Sequence, residues 1–350
     1  MSGLIPEGPI GVLQPGWSAE VGDYAIAGGW ILHGEALVVG DAAGGIYAFD
    51  GNSGETIWVQ QGVHAGGVLA MAINPIGTIF ASAGQDGRVL IWSAKEGQIT
   101  QNIDIGKGWV ENLAWSPDGK WLAATFSRQV RVFAADGAEV WQSDNHPGAI
   151  NAIVWSSSGE LATACYGQVS FFNATNGEML QKLESKGSLV SMVLSQDGNI
   201  VACGSQDNSV HFWDRATEQH SKAECPGKPS RIDFDETGTL LSASGGKVVT
   251  VFRYRQSDSQ AAQSGVLDHD QSVTALAFPH HSMRLASGDR KGAVVIWSLQ
   301  SDGSGGPAGA GFVTDAIAEL HWRPDDCALA ALDAHGGVTV WRLDSEHTFH

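Results

Sequence analysis

Cysteine and basic residues are scarce in this chain of 350 residues, and each scarcity excludes classes of protein. The four cysteines, Cys165, Cys203, Cys225 and Cys327, lie far apart and show no CxxC spacing. This pattern predicts small buried or half-buried thiols instead of a metal or redox site. Lysine and arginine total 20 against 38 acidic residues, and the formal charge of −18 repels phosphate backbones and anionic lipid head groups. We therefore expect neither nucleic acid nor a membrane as a partner.

Targeting segments and catalytic motifs are also missing. The start, "MSGLIPEGPIGVLQPG", has no basic segment followed by an apolar run, so we expect a cytoplasmic protein without a signal peptide or membrane span. No GxSxG, HExxH or phosphate loop occurs, so we predict no catalytic, cofactor-binding or metal-binding residues. The stretch "DFDETG" at 233–238 begins like a calcium loop, but its twelfth position is Ser244 instead of a bidentate glutamate.

Glycine and tryptophan are abundant, at 45 and 13 residues, and they indicate many tight turns between strands. Hydrophobic residues make up 43% of the chain and charged residues 17%, a balance typical of a globular protein with a substantial core. The composition therefore favours an all-β fold.

One pattern recurs along the whole chain. Segments of alternating β-formers, such as "GRVLIWS" and "GAVVIWS", each end on an aromatic residue followed by a small or polar one. The eight aromatic residues are Phe49, Trp92, Phe133, Phe172, Trp213, Phe252, Trp297 and Trp341. Their spacing of 39 to 45 residues is the period of propeller blades. We refer to the eight units as repeats one to eight and predict that they form a single domain over residues 1–350.

The second repeat resembles the WD40 family most clearly. It has His64 before its first strand, Ser82 on the second strand, Asp86 in the next turn and Trp92 on the third strand. The resemblance implies that these four side chains form a buried hydrogen-bonded chain with a structural role.

Other repeats depart from the pattern. One literal Trp-Asp pair, Trp213-Asp214, is present, and the Asp position is Tyr166 in the fourth repeat and Lys291 in the seventh. Three repeats instead carry an aspartate eight residues before the aromatic, at Asp41, Asp289 and Asp333.

The stretch "AFDGNSGETIW" at 48–58 is similar to quinoprotein-type propeller repeats in the spacing of its Ala, Asp, Ser, Gly and Trp. Blade construction explains the spacing without a cofactor, because Asp50 can cap a turn, Gly54 permits a positive φ and Trp58 can pack on the next blade. We interpret the stretch as the corner between the third and fourth strands of repeat one. The quinoprotein similarity leaves an alternative class: a propeller enzyme, or a small-molecule or metal binder, that uses the central channel.

The repeat count predicts an eight-bladed propeller, with seven blades and an irregular terminal element as the alternative. The last repeat lacks a fourth strand, and we expect the N-terminal "GPIGVLQ" to supply it beside Val338 to Trp341, which closes the ring. Two long connections, at 254–265 and 299–311, are predicted to be surface loops between third and fourth strands.

In a propeller, the loops from fourth to first strands and from second to third strands lie on one face, here called the loop face. The repeat register places nine candidate partner-binding residues on it: Lys107, Trp109, Phe126, Arg128, Tyr166, Gln206, Lys228, Arg290 and Asp315. Trp109 is the foremost candidate, because its repeat has Lys-Gly-Trp where the family has a histidine. The alternative for Trp109 is packing against a neighbouring blade. We expect a non-enzymatic scaffold that binds a protein or peptide partner, either as a monomer or as a component of a larger complex.

Overall fold

The computed structural model of the chain describes residues 11–255 and 260–343. The regular structure of those residues consists of β-strands joined by turns and loops, with one short 3-10 helix at Leu32–Gly34. The strands, in chain order, are β1 Gly11–Val12, β2 Gln14–Glu20, β3 Ala25–Ile31, β4 Ala36–Asp41, β5 Ile46–Asp50, β6 Thr56–Gln60, β7 Val68–Ile73, β8 Ile79–Gly84, β9 Arg88–Ser93, β10 Ile99–Asp104, β11 Leu113–Trp115, β12 Trp121–Phe126, β13 Gln129–Ala134, β14 Glu139–Gln142, β15 Ala152–Trp155, β16 Leu161–Phe172, β17 Met179–Leu194, β18 Ile200–Ser205, β19 Ser209–Asp214, β20 His220–Glu224, β21 Ile232–Phe234, β22 Leu240–Gly245, β23 Val248–Arg255, β24 Gln260–Asp268, β25 Val273–Ala277, β26 Arg284–Asp289, β27 Ala293–Leu299, β28 Gly305–Phe312, β29 Ile317–Trp322, β30 Ala328–Asp333 and β31 Gly337–Arg342.

Burial differs with the position of a strand in its repeat. Second strands such as β4, β18, β22 and β30 are buried at every residue, because they are covered on both faces by neighbouring sheets. Fourth strands such as β10 alternate between exposed and partly buried residues, because one side of each faces solvent. The core therefore lies between sheets and consists of Val, Leu, Ala and aromatic residues from adjacent repeats.

The strands assemble into antiparallel sheets whose first strands contact one another in sequence around a ring, and β29 of the last sheet contacts β3 of the first. This arrangement is an all-β propeller, as the sequence predicts. The described residues form seven hydrogen-bonded sheets, five of them four-stranded. The prediction of eight blades is therefore wrong, and the alternative count of seven matches the sheets.

The difference in count arises between repeats four and five, which share one six-stranded sheet. Strand β17 pairs with β16 through Met179–Ser188 and continues, with a register shift, into pairing with β18 through Leu189–Leu194. Strand β16 is also long: it pairs with β15 through Leu161–Ala164 and with β17 through Tyr166–Phe172. Two long strands thus connect what are separate sheets elsewhere in the ring.

The last sheet is completed by an N-terminal strand, but not by the predicted segment. Strand β2 pairs antiparallel with β31, with Trp17 opposite Val340 and Glu20 opposite Gly337. Residues 8–10 of the predicted strand "GPIGVLQ" lie outside the described residues. Its Gly11–Val12 pair in parallel with β28 of the preceding sheet, and its last residue, Gln14, is the first residue of β2. The N-terminal segment therefore contacts two sheets, which protects both of their edges.

The two predicted loops are wrong for most of their length. Strand β24 starts at Gln260 and pairs with β23, and β28 starts at Gly305 and pairs with β27. Both strands lie toward the outside of their sheets. The Gly- and Ser-rich segments therefore form outer strands that follow short turns. Residues 256–259 of the first predicted loop lie outside the described residues.

The "AFDGNSGETIW" stretch forms the corner between β5 and β6, as interpreted from the sequence. Asp50 Oδ1 accepts hydrogen bonds from the backbone N–H groups of Asn52 and Ser53, at 3.0 and 2.8 Å, and from the Ser53 hydroxyl at 2.9 Å. Gly54 has φ of 73°, and a Cβ there would lie 2.6 Å from the Trp17 ring of the preceding sheet. Only glycine fits this corner.

The same contact recurs around the ring. The Trp58 ring lies over Gly97 and its indole N–H donates to the Ala94 carbonyl at 3.3 Å, while Trp141 donates to Ala174 at 2.7 Å and lies over Gly177. A fourth-strand tryptophan therefore packs on the corner of the next repeat. The quinoprotein-like spacing is explained by this contact between blades.

Candidate functional site

The four network residues of repeat two form one continuous hydrogen-bonded chain. The Trp92 indole N–H donates to the Ser82 hydroxyl at 2.9 Å, and that hydroxyl lies 2.8 Å from His64 Nε2. His64 Nδ1 lies 3.0 Å from the Asp86 carboxylate. One assignment of protons satisfies every group: His64 donates from Nδ1 to Asp86 and accepts at Nε2 from Ser82. The chain ties the loop before β7 to β8 and β9.

Burial and hydrogen bonding set the charge states of the network. Burial lowers the pKa of His64 below its usual range, so the imidazole is neutral at pH 7. Burial alone would raise the pKa of Asp86, but hydrogen bonds from His64 and Arg88 outweigh it, and the pKa lies below the ordinary value. The Asp86 carboxylate also accepts the Ala65 N–H at 3.1 Å, which holds the loop in place.

Repeat seven contains a second network that the sequence pattern did not reveal. His269 Nε2 lies 2.6 Å from the Ser287 hydroxyl, which also accepts the Trp297 indole N–H at 2.7 Å. The acid is Asp289, whose carboxylate lies 3.5 Å from His269 Nδ1. The seventh repeat thus has an aspartate after all, two positions after the serine instead of four.

The aspartates that lie eight residues before the third-strand aromatic in repeats one, seven and eight share one structural role. Asp41 Oδ1 accepts the Gly45 N–H at 2.6 Å, Asp289 Oδ1 accepts from Lys291 at 2.8 Å, and Asp333 Oδ1 accepts from Gly337 at 2.8 Å. Each carboxylate therefore caps the turn between the second and third strands, where the backbone N–H groups would otherwise lack partners. The shift of the aspartate by two residues reflects this capping role.

Acid is expected to destabilise the fold because buried histidines remain neutral in it. Burial lowers the pKa of His64, His146 and His269, and lowers that of His211 to about 4. Below the unfolded value of about 6.5 the unfolded chain binds more protons than the folded one, so each such histidine costs up to about 1.4 kcal/mol per pH unit until the pH reaches its lowered folded value. Asp233 acts with the opposite sign, because its pKa is raised to about 7. Burial also lowers the pKa of His220, so with five histidines against one aspartate we expect the melting temperature to fall between pH 7 and pH 5. Thermal unfolding that is flat or rising over this range would contradict the assignment.

The nine predicted partner-binding residues lie in or beside the loops of the loop face. Lys107 and Trp109 lie between β10 and β11, Lys228 between β20 and β21, and Asp315 between β28 and β29. The others lie at second-to-third strand turns or at the corresponding bend of β16. All are exposed except Phe126, which is partly buried.

Trp109 is exposed at the surface, and its loop packs on Phe126. Its side chain is 56% exposed, which leaves more than half of its surface open to a partner. Gly106 and Gly108, on either side of Lys107, lie so close to the Phe126 ring that a Cβ on either would be 3.1 Å from it. Phe126 thus supports the loop from below. Arg131 lies over the same ring, with its guanidinium carbon 5.7 Å from the ring centre.

The remaining predicted residues are not equally available. The Arg128 Nε–H donates to the His146 carbonyl at 2.6 Å, so this arginine is partly engaged in joining two repeats. Tyr166 is 59% exposed and lies against Gly148 of the adjacent loop. The structure does not show direct contacts joining Trp109 to Gln206, Lys228, Arg290 or Asp315.

Two exposed aromatic residues on the same face were missed from the sequence. Tyr24, between β2 and β3, is 56% exposed, and Phe312, at the end of β28, is 75% exposed. Both follow segments whose strand assignment differed from the structure. A correct placement of β2 and β28 would have put them in the loops between fourth and first strands.

The described residues contain no group of three or more His, Cys, Asp or Glu side chains arranged to hold a metal ion. Nor does any helix within residues 11–255 and 260–343 have the length and apolar character to cross a bilayer. Three of the four cysteines are buried and Cys327 is partly exposed, all without disulfide partners.

The architecture and the repeated polar networks define a propeller built from WD-type repeats. The sequence profile of the "WD domain, G-beta repeat" matches residues 57–93, 99–133, 177–214 and 262–298, and that of the "Anaphase-promoting complex subunit 4 WD40 domain" matches residues 123–195. The chain belongs to the WD40 repeat family, whose propellers are in general non-enzymatic scaffolds for protein interactions.

Similar proteins share the fold at low sequence identity. The pre-mRNA-splicing factor cwf17 of Schizosaccharomyces pombe is 22% identical over 70% of this chain and 76% of its own length. Actin-interacting protein 1 of Caenorhabditis elegans is 22% identical, over 76% of this chain and 44% of its own length. The crystal structure of the computationally designed Ika8 protein superposes with a TM-score of 0.81 at 19% identity, covering 94% of this chain and 100% of that one. The chain spans less than half of actin-interacting protein 1.

Proposed function

We propose that this chain is a non-enzymatic scaffold that binds a protein or peptide partner through its loop face, with Trp109 as the anchor. The exposed Trp109 side chain, on a loop supported by Phe126, is the observation on which the proposal depends. A tryptophan side chain offers a large contact area with only two rotatable bonds, so it loses little conformational entropy on binding, and such residues dominate protein interfaces.

The surroundings of Trp109 indicate the chemistry of the partner. Lys107 lies in the same loop and is exposed, and Arg128 lies in the turn of the same repeat. Because the chain has a net charge of −18, two neighbouring cations in one repeat favour an acidic group on the partner. A segment with an apolar side chain next to an acidic one fits this part of the loop face best, and the acidic residue would pair with Lys107.

The relatives support a role in assemblies. Their names include a pre-mRNA-splicing factor, an anaphase-promoting complex subunit and an actin-interacting protein. We infer that this chain likewise works as a component of a larger complex, and that it does so in the cytoplasm. Four cysteines without disulfides are compatible with a reducing compartment.

Replacing Trp109 by alanine should abolish capture of the partner. Tagged wild-type protein and variants would be used for affinity capture from the source cells, followed by quantitative mass spectrometry. The matched control is Ile76→Ala, because Ile76 is 55% exposed but lies in a first-to-second strand turn on the opposite face. A protein retained by wild type and Ile76→Ala and lost with Trp109→Ala supports the proposal. Equal capture by all three, with unchanged melting temperatures, would contradict it.

A further inference from the structure

A cavity of about 490 Å³ lies on the side of the propeller opposite the loop face. It is formed by the ends of the first strands β15, β17 and β21 and by the turns that follow β17, β21 and β25. Its walls include Val154, Val193 and Phe278. Three acidic residues also line it: Asp233 on β21, and Asp235 and Glu236 in the turn that follows. A volume of this size is in the range that holds a long side chain or a small ligand.

Asp233 is placed as a recognition group more than as a structural one. It is partly buried, and its Oδ2 accepts the Phe278 N–H of the neighbouring repeat at 2.8 Å. Burial raises its pKa to about 7, because the carboxylate has lost much of its water without gaining a cation. Among the described residues no Lys, Arg or His side chain forms an ion pair with it.

The other acidic groups nearby already have partners. Asp235 caps its own turn, accepting the N–H groups of Thr239 and Leu240 at 2.8 and 2.7 Å. Glu236 lies 3.7 Å from His281, and His280 lies 3.1 Å from Asp326. A different first-strand acid, Glu319 of β29, is paired with His321 at 2.9 Å. Of the three carboxylates that line the cavity, Asp233 and Asp235 form no ion pair among the described residues, and Asp235 is already engaged by its own turn.

Apolar walls beside a carboxylate without an ion pair match the chemistry of a long basic side chain. The methylene groups of lysine or arginine pack on apolar surface while the charged end seeks an acceptor. We propose that this cavity binds an arginine or lysine side chain from a partner peptide, with the cationic end against Asp233 and the methylene groups between Val193 and Phe278. The site is separate from the loop face and does not depend on the function proposed for Trp109.

The test uses a blocked five-residue peptide, Gly-Ser-Arg-Ser-Gly, and its citrulline twin, which has the same shape without the charge. Binding to the full chain is measured by ligand-observed NMR. The arginine peptide is expected to bind wild type at least about tenfold more tightly than it binds Asp233→Asn, because a charge-assisted contact is lost. The citrulline peptide should show no such difference.

Matched variants separate the site from general charge effects. Asp315→Asn removes the same charge from the loop face and should bind like wild type, as should Trp109→Ala. Val193→Trp fills the cavity without touching the carboxylate and should abolish binding. Melting temperatures check that each variant is folded. The asparagine of Asp233→Asn can still accept the Phe278 N–H, so that variant is expected to fold.

The pH dependence supplies a second readout. Since Asp233 must be ionised and its pKa is about 7, binding should weaken about tenfold from pH 8 to pH 6. The other titratable side chains that line the cavity with Asp233 are Asp235, Glu236, His280 and His281. The double variant His280→Asn, His281→Asn should therefore keep the pH dependence, whereas Asp233→Asn should lose it. Equal binding of the arginine and citrulline peptides would overturn the proposal. Binding of the arginine peptide that is unchanged by Asp233→Asn would overturn it as well.

Discussion

Replacing Ser82 by alanine should lower the free energy of unfolding by about 2–4 kcal/mol. The Ser82 hydroxyl is the shared partner of His64 and Trp92, at 2.8 and 2.9 Å. All three side chains are essentially inaccessible to water. The substitution leaves His64 Nε2 and the Trp92 indole N–H buried without partners, and each unpaired group costs about 1–3 kcal/mol. Urea unfolding followed by tryptophan fluorescence and circular dichroism measures the loss.

The control for this prediction is the corresponding serine of a repeat without the network. Ser242 is fully buried ten residues before Phe252, as Ser82 is ten residues before Trp92. Its hydroxyl donates to the Asp233 carbonyl at 3.4 Å, a long contact. Ser242→Ala should therefore cost less than about 1 kcal/mol. Similar losses for both variants would show that the network adds nothing beyond an ordinary buried hydroxyl.

Replacing Trp17 by alanine should cost about 3–5 kcal/mol, the usual range for deleting a buried tryptophan side chain. Trp17 lies on β2, the strand that completes the last sheet, and it packs against Phe49 of the first sheet with ring centres 6.1 Å apart. Its indole N–H donates to the Gly51 carbonyl at 3.0 Å. Trp17 is therefore one of the side chains that join the first and last sheets, and its loss should weaken the closure.

Trp58→Ala is the matched variant, because Trp58 makes the same kind of contact between the first and second sheets. Hydrogen exchange distinguishes the two. Trp17→Ala should increase exchange in β31 and β3, on either side of the closure, whereas Trp58→Ala should increase it in β6 and β9. Unchanged protection of β31 in Trp17→Ala would contradict a closing role for β2.

Much of the fold follows from the sequence because each repeat contains its own signals. The third-strand aromatic residues lie where predicted, since alternation and a terminal aromatic reflect burial between two sheets. The sheet count did not follow, because the continuity of β17 depends on pairs such as Tyr166 with Ser188, which join residues far apart in the turn pattern. The strands β24 and β28 were missed because their Gly- and Ser-rich sequences lack the alternating pattern of β-forming residues.

The candidate site was only partly predictable for a similar reason. The repeat register predicts which residues lie in the loops, but the exposure of a loop residue depends on the residues that pack under the loop, such as Phe126 under the Trp109 loop. The second network was missed because its aspartate lies at an unexpected position. Asp289 contacts His269 from two residues after the network serine, whereas Asp86 contacts His64 from four residues after it. Asp233 was considered only for calcium, because its cavity is assembled from several repeats and has no local signature.

The most direct test of the loop-face assignment is the affinity of a captured partner for three forms of the chain. Isothermal titration calorimetry should give a Kd for Trp109→Ala that is at least about tenfold weaker than for wild type, the range expected for an interface anchor. Ile76→Ala should bind as wild type does. A Kd for Trp109→Ala within twofold of wild type, with the partner still saturating the protein, would show that the loop face around Trp109 is not where the partner binds.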